Sequence, residues 1–243
     1  MDDDPRPFEY RRIWEAKPVL RLLYETYYRE IVRQVRPGRT LEIGGGSGNL
    51  KRFMDGIVST DIVYGPWLDA VADAGQLPFR AKSFDSIVLF DVLHHLPSPR
   101  NFLSEAVRTL KSGGRIVMIE PAITPLSGIF YRLFHPEPVV MGVDPLAAAG
   151  PVAGRDPWLA NQAIPTLLLF RDRERLRREF PGLRLVLVRR FGLWSYPLSG
   201  GFRPWSLLPV RLIRPLLAAE AWFEPALGWL MGFRLIAVLE RDE

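Results

Sequence analysis

The stretch from Thr40 to Leu50, TLEIGGGSGNL, limits the fold more than any other part of the chain. Apolar residues lead straight into a glycine loop made of Gly44, Gly45, Gly46, Ser47 and Gly48, and the amphipathic segment at 49–54 is expected to be helical. A strand that runs into glycines and then a helix brings bare backbone amides close to a ligand, because no Cβ stands in the way. The stretch therefore predicts a nucleotide-type site at the end of a strand.

The spacing of these glycines excludes two common phosphate-binding motifs. A dinucleotide fingerprint, Gly-x-Gly-x-x-Gly, would need glycine where Asn49 stands, and a P-loop would end in Gly-Lys-Ser/Thr. The pattern that remains is Glu42-x-Gly44-x-Gly46-x-Gly48.

Composition limits the class of protein and its chemistry. The chain has 243 residues, of which 48% are hydrophobic and 24% charged, so we expect one ordinary α/β domain over 1–243. The absence of cysteine excludes disulfides and thiol nucleophiles, and with only three histidines a zinc centre is not expected, so no metal site is predicted. The net charge of +5 comes from scattered arginines, which does not favour a nucleic-acid partner.

Two features bear on location. The opening Met-Asp-Asp-Asp-Pro lacks the basic start and apolar stretch of a signal peptide, so a cytoplasmic location is the default expectation. The apolar segment at 206–231 is interrupted by Arg211, Arg214, Glu220 and Glu224 too often to span a membrane. The segment is expected to be helical and partly buried against the domain, with a peripheral contact at the inner membrane surface and a dimer face as open alternatives. The oligomeric state is not predicted.

Acidic side chains end the predicted strands. Gly56 to Asp61 reads as a strand, and Asp61 is expected either to accept hydrogen bonds from ribose hydroxyls or merely to cap its loop. Only 64–67 separates it from the next strand, DAVADA, so no crossover helix fits there. A buried strand at 87–90 ends at Asp91, and Ser98 is expected to cap a helix from Pro99 to Leu110.

The glycine pattern resembles the first motif of the class I S-adenosylmethionine-dependent methyltransferases. The succession at 83–121, with FDxIxxxxxxHHL, a helix and LKxGGxxxxxEP, is also similar to that family. The resemblance covers 38–121 by motif and 170–241 by topology. It implies a doubly wound, seven-stranded, mostly parallel α/β sheet of Rossmann-like methyltransferase fold, with an antiparallel C-terminal edge and insertions after strands five and six. It also implies S-adenosyl-L-methionine as cofactor.

The resemblance carries over to individual residues. In it, Asp73 reaches the adenine amino group, the Ala74 amide meets the ring, and histidines after the fourth strand line the methyl-transfer cleft. His94 and His95 are candidates for a base or an acceptor contact, against packing or cofactor-shell roles. His135, in the insertion after the fifth strand, is a further candidate, against a plain loop position. The predicted cofactor-binding residues are Glu42, Gly44, Gly45, Gly46, Gly48, Asp61, Ile62, Asp73, Ala74, Phe90 and Asp91.

Three segments are expected to surround this core. Residues 1–36 form a helical cap, broken at Pro18, whose tyrosines Tyr24, Tyr27 and Tyr28 either pack on the core or cover the site. Residues 121–170, where prolines and glycines break up long elements, are a lid or substrate-binding insertion. A helix at 172–180 with an Asp172 cap, a strand at 183–190, the aromatic-rich helical insertion 191–231 and a final strand at 232–241 follow.

The expected function is methyl transfer to oxygen or nitrogen of a small-molecule, glycan-like or lipid-like acceptor, since both insertions are apolar and aromatic. No Asn-Pro-Pro-aromatic tetrapeptide follows the fourth strand, where Asp91-Val92-Leu93-His94 stands, which argues against methylation of nucleic-acid bases. Two other readings stay open. One is a membrane-surface or protein-interaction module with a vestigial cofactor site, and the other is a nicotinamide-dependent oxidoreductase.

Overall fold

Seven strands form one sheet in the computed structural model, which describes residues 4–147 and 156–242. The strand order is β3-β2-β1-β4-β5-β7-β6. Strands β1 to β5 pair in parallel, and β7 runs antiparallel to both β5 and β6, which confirms the predicted fold class. The strands are β1 (Thr40–Ile43), β2 (Ile57–Asp61), β3 (Ala70–Val71), β4 (Phe84–Phe90), β5 (Leu110–Pro121), β6 (Leu183–Phe191) and β7 (Arg234–Arg241).

The central strands are buried on both faces because successive side chains point to opposite sides. On β4, Ile87 and Leu89 belong to one core cluster and Val88 to the other. Helices cover both faces. They are α1 (Arg6–Ala16), α2 (Pro18–Gln34), α3 (Pro99–Thr109), α4 (Pro125–Phe134), α5 (Ile164–Thr166), α6 (Arg173–Glu179), α7 (Ser195–Ser199) and α8 (Val210–Met231).

Helix boundaries follow several of the sequence signals. The break at Pro18 is confirmed: Lys17 is extended between α1 and α2, and its ammonium donates to the carbonyls of Gly201, Arg203 and Trp205. Ser98 caps α3 as predicted, since its hydroxyl accepts the Asn101 N–H at 3.2 Å. Residues 64–67 contain no helix, also as predicted.

Other local predictions were wrong. The segment at 49–54 forms only one 3₁₀ turn, Leu50–Arg52, closed by a bond from the Phe53 N–H to the Leu50 carbonyl. Asp172 precedes α6 but does not cap it with its side chain, because its carboxylate pairs with Arg171 instead.

The insertion at 121–170 is more regular than predicted. A ten-residue helix, α4, begins at Pro125, and Thr124 and Ser127 form a capping box before it. Proline is favourable at the first position of a helix, so Pro125 starts an element that it was expected to break. After α5, a π turn spans Leu167–Arg171, and part of the predicted lid, 148–155, lies outside the described residues.

The tyrosines of α2 belong to the core. Tyr24, Tyr27 and Tyr28 are between 1% and 7% exposed. Tyr24 stacks on Phe90 with ring centroids 5.0 Å apart, so α2 packs directly beneath the end of β4.

Candidate active site

The glycine loop presents one open position. A Cβ on Gly44, Gly45 or Gly48 would lie within 2.4 Å of the side chains of Val92, Ser59 or Trp67 respectively. At Gly46 the nearest atom would be the Gly44 carbonyl oxygen, 3.9 Å away. Three of the four loop glycines are thus required by packing against the protein, while Gly46 borders open space that a ligand can fill.

Asp61 joins β2 to this loop. Its Oδ2 accepts the Gly46 N–H at 2.9 Å and its Oδ1 accepts the Val63 N–H at 3.0 Å. Burial raises the pKa of this carboxyl. Each oxygen keeps lone-pair capacity for one more donor, such as a hydroxyl. The next side chain, Ile62, is 51% exposed and offers an apolar surface beside the loop.

Glu42 lies beneath the loop. Its carboxylate is buried and accepts a hydrogen bond from the Ser59 hydroxyl. Burial, against a smaller opposite effect of that hydrogen bond, raises the pKa of Glu42 to about 7. The carboxyl therefore titrates near neutral pH inside the protein.

Asp73 and Ala74 follow β3, the strand next to β2. Asp73 is exposed and its Oδ1 accepts the Gly75 N–H at 2.7 Å, while Ala74 is buried. Because β1, β2 and β3 are parallel, these residues lie at the same edge of the sheet as the glycine loop and Asp61.

Asp91, at the end of β4, is bound to an arginine that the sequence did not reveal. Its Oδ1 lies 2.5 Å from the Arg234 guanidinium, which is buried and lies 5.5 Å from the Phe90 ring centroid. Asp91 has a positive φ of 58°, unusual for a residue with a side chain. Burial raises the pKa of Asp91, and the charge of Arg234 opposes that rise.

Beyond Asp91, all three histidines of the chain gather around Glu137. The His94 Nε2 lies 3.5 Å, the His95 Nε2 3.9 Å and the His135 Nδ1 4.0 Å from its carboxylate. The structure therefore brings together the three histidines that sequence reasoning singled out. The sequence analysis did not identify their common partner, although Glu137 stands two residues after His135.

Two further polar residues fix this cluster. Glu120 is buried, and its carboxylate accepts the N–H groups of Val92 and Leu93 and lies 2.6 Å from the His94 Nδ1. Gln162, also buried, donates from its side-chain amide to Glu137. The sequence analysis assigned no role to either residue, although Glu120 stands in the Glu-Pro pair that ends β5.

Charge and burial shift the cluster's pKa values in different directions. Burial alone would lower the pKa of His94, but the charge of Glu120 and the hydrogen bonds to Glu120 and Glu137 raise it to about 10. Burial would raise the pKa of Glu137, but its contacts with His94 and the charges of the histidines lower it to about 2. Burial chiefly lowers the pKa of His135.

Helix α1 and the segment at 156–162 lie over these groups. Phe8 packs edge-on against Trp67, whose indole N–H donates to the Gly46 carbonyl at 2.6 Å. Trp158 donates to Asp4 at 2.9 Å and faces His95 edge-on at 6.4 Å. The N-terminal helix thus contacts the surroundings of both the glycine loop and the histidine cluster.

One cavity in the described part of the chain borders the histidine cluster. It has a volume of about 230 Å³ and is lined by His94, Leu96, Val143, Asn161 and Ile164 among others. A larger one, of about 330 Å³, lies between α2 and Phe53 and contains none of the predicted site residues. The candidate site is therefore identified by its polar groups, namely the glycine loop, the acids at the strand ends and the histidine cluster, and not by cavity volume.

A family model and curated relatives match parts of the chain. The methyltransferase domain family matches residues 41–118. An uncharacterized protein of Methanocaldococcus jannaschii is 29% identical over 105 residues, 40% of this chain, and the demethylmenaquinone methyltransferase of Clavibacter sepedonicus is 44% identical over 55 residues, 23% of this chain. The matched segments span only 51% and 22% of those two proteins.

Solved structures match over most of the chain. A methyltransferase of Thermotoga maritima aligns with a TM-score of 0.58 at 16% identity, covering 98% of this chain and 100% of that one. A methyltransferase of Archaeoglobus fulgidus aligns with a TM-score of 0.56 at 19% identity, covering 91% and 94%. At this identity the likeness shows the fold. Together with the strand order, it shows that the chain has the fold of the S-adenosylmethionine-dependent methyltransferases, and residues 41–118 match the methyltransferase domain family.

Proposed function

We propose that the protein transfers a methyl group from S-adenosylmethionine to a small amphiphilic acceptor. The observation that carries this proposal is the open position at Gly46, whose N–H is bonded to Asp61 at the end of the neighbouring parallel strand β2. When bound, the cofactor supplies a methyl group activated by the positive charge of its sulfonium. The protein's task is then to align the two reactants and exclude water, so that proximity contributes much of the rate.

Each cofactor residue has a role in this proposal. Asp61 accepts hydrogen bonds from the ribose hydroxyls, and Gly46 lets the cofactor approach the loop backbone. Ile62 packs against the adenine, while Asp73 and the Ala74 amide bind its edge. Phe90 and Asp91 lie at the methionine end, where the bond between Asp91 and Arg234 holds the carboxylate in place.

The histidine cluster forms the acceptor side of the cleft in this proposal. His94 follows Asp91 by three positions and lies next to the 230 Å³ cavity. His94, His95 and His135 are the candidates for contacting an acceptor that loses a proton. The demethylmenaquinone methyltransferases match too short a segment to transfer their methylated atom to this chain.

An exposed apolar surface favours an amphiphilic acceptor. Helices α4 and α8 pack together, and α4 leads directly into His135. Large apolar side chains on the two helices and the preceding loop are exposed, including Leu126, Ile129, Leu133, Phe134, Trp205, Leu207, Leu212, Trp222 and Trp229. Apolar patches of this kind mark interaction sites in proteins that are otherwise folded.

The charges of helix α8 favour an anionic bilayer as the partner of this surface in our proposal. Glu220 is buried against the Trp194 and Ser195 amides, and Glu224 binds Arg189. Within α8, all of it described, the exposed charged residues are Arg211 and Arg214, at the end opposite Trp229. A helix that exposes both tryptophans and arginines suits the boundary between headgroups and acyl chains. Among the described residues no helix is long and apolar enough to cross a membrane, so the proposed contact is peripheral.

Calorimetry tests the cofactor proposal. S-adenosylhomocysteine, S-adenosylmethionine and NAD are titrated separately into the protein, and we expect binding of the two sulfur compounds only. Binding of NAD without either sulfur compound would favour a nicotinamide oxidoreductase and refute the proposal.

Vesicle sedimentation tests the surface proposal. We expect the protein to sediment with vesicles of equimolar phosphatidylglycerol and phosphatidylcholine and much less with phosphatidylcholine alone. The double variant Trp222→Ser/Trp229→Ser should not sediment with the vesicles. Trp158 lies over the histidines and is not part of α8, so Trp158→Phe should sediment as the wild type does. Equal sedimentation of the double variant would refute the membrane contact. A concentration-dependent dimer lost in the same variant would assign the surface to a second copy of the chain.

A further inference from the structure

The histidine cluster contains a set of ligand atoms with metal-site spacing. Nitrogen atoms of His94 and His95 and a carboxylate oxygen of Glu137 all lie within 4.8 Å of one another. In a tetrahedral site with bond lengths of about 2.1 Å, ligand atoms are roughly 3.4 Å apart. Here the His94 Nε2 lies 3.5 Å from one oxygen of Glu137 and the His95 Nε2 lies 3.9 Å from the other. We propose that His94, His95 and Glu137 bind a divalent first-row transition-metal ion.

The orientation of His94 supports this assignment. Its Nδ1 faces Glu120 at 2.6 Å, which directs Nε2 toward Glu137. A metal-binding histidine commonly donates its other ring N–H to a carboxylate, which fixes the ring and its tautomer. Glu120 is well suited to that supporting role, because it is fully buried and held by two backbone N–H groups.

Glu137 is oriented in a similar way. The buried Gln162 donates to its carboxylate, and the Gln162 backbone N–H is bonded to the Pro138 carbonyl. His135 lies nearby but stays outside the ligand set, because its Nδ1 accepts the Glu137 backbone N–H at 3.3 Å. His135 therefore offers a matched control: a neighbouring histidine that is not a ligand.

A second close group, Asp91, His94 and Glu120, is less suited to a metal ion. Glu120 already binds His94 and two backbone amides, and Asp91 is paired with Arg234. Because His94 lies close to Asp91 in this second group, the proposed ion would lie on the same side of the cleft as Asp91. That side is the methionine end of the proposed cofactor site.

Three protein ligands leave coordination positions open. Two imidazoles and one carboxylate suit zinc, iron, cobalt or manganese in the divalent state. We infer that an open position takes an oxygen of the acceptor, which the ion would orient and polarise; this inference about the acceptor rests on the proposed function. The acceptor would then carry an oxygen atom close to the atom that receives the methyl group. The proposal departs from the sequence-based expectation of no metal site.

Metal binding is measured on the full chain without a histidine tag, after stripping with a chelator. Zn²⁺ is titrated by calorimetry, and Co²⁺ absorption reports the ligand geometry. We expect one ion per chain. Glu137→Gln and His95→Asn should each weaken binding at least about tenfold, and Glu120→Gln about 10- to 100-fold, as for other supporting carboxylates. His135→Asn should bind as the wild type does.

Failure of the wild type to bind zinc stoichiometrically would overturn the proposal, as would equal binding by Glu137→Gln. Thermal melting of every variant shows whether it is folded. Titration of S-adenosylhomocysteine into the same metal-free samples tests the cofactor proposal separately. Zinc binding without S-adenosylhomocysteine binding would refute the proposed function and support the metal site. S-adenosylhomocysteine binding without zinc binding would refute the metal site and support the proposed function.

Discussion

The titration of Glu42 should make the protein less stable as pH rises through neutrality. Its pKa is about 7 in the folded protein, against 4.5 for the exposed side chain. The folded state therefore binds this proton more tightly than the unfolded state does. The stabilisation is fully present below the unfolded pKa and is lost as pH rises through the folded one. At 1.36 kcal/mol for each pKa unit, the loss between about pH 5 and about pH 8 amounts to roughly 2 to 3 kcal/mol.

Glu42→Gln removes the titrating group while keeping its shape. The free energies of unfolding of wild type and variant are measured by urea denaturation across this pH range. We expect the variant to gain about 2 to 3 kcal/mol relative to the wild type from the acid to the alkaline end. Other titrating groups contribute to both proteins and cancel in the difference.

Ser59→Ala should change the pKa of Glu42 without removing the carboxyl group. The Ser59 hydroxyl donates to the Glu42 carboxylate and holds the pKa of Glu42 down. Its removal should raise that pKa further and move the loss of stability to higher pH. If the unfolding free energies of wild type and Glu42→Gln changed with pH in parallel, the prediction would be refuted. The pKa of Glu42 would then be the same in the folded and the unfolded state.

Three further predictions concern stability. Arg234→Met leaves Asp91 without its partner and should destabilise the fold by roughly 3 kcal/mol, the lower end of the range for a broken buried pair because Asp91 is partly exposed; chemical denaturation that shows no loss would contradict this. Gly48→Ala should cost at least about 1 kcal/mol, since φ is +72° and the new Cβ would lie 2.4 Å from Trp67, and an unchanged melting temperature would count against the loop geometry. Ser98→Ala removes the α3 cap and should cost about 1 kcal/mol, with Ser98→Asp, which can still cap, as the retained-stability control.

The sheet could be predicted because its signals are local. The glycine spacing after β1, the apolar run of β4 and the glycine pair before the buried part of β5 each specify a strand end within a few residues. Parallel connections then bring those ends to one edge. The positions of Asp61 and Asp91 near the loop follow from that topology.

The partners of these residues could not be predicted because they come from distant parts of the chain. Arg234 is 143 positions from Asp91 and reaches it only through the pairing of β7 with β5. Glu120 and Glu137 meet at His94 from β5 and from the insertion. Nothing in the spacing of the three histidines indicates that they surround one carboxylate.

Local competition explains the remaining errors. Pro125 was counted as a breaker, but Thr124 and Ser127 make it the first residue of α4. Asp172 has the right residue type for a cap, yet the adjacent Arg171 guanidinium holds its carboxylate. In both places the outcome depends on the neighbouring side chain, which residue propensities do not describe.

The central claim is that the glycine loop and the acid of β2 bind S-adenosylmethionine. Calorimetric titration of S-adenosylhomocysteine into wild type, Gly46→Val and Asp61→Ala tests it most directly, with thermal melting to show that each variant is folded. We expect binding to the wild type, none to Gly46→Val, and a loss of about 1 to 3 kcal/mol of binding free energy in Asp61→Ala, the range for a lost hydrogen-bond partner. Unchanged affinity in both folded variants would contradict it and place the cofactor elsewhere.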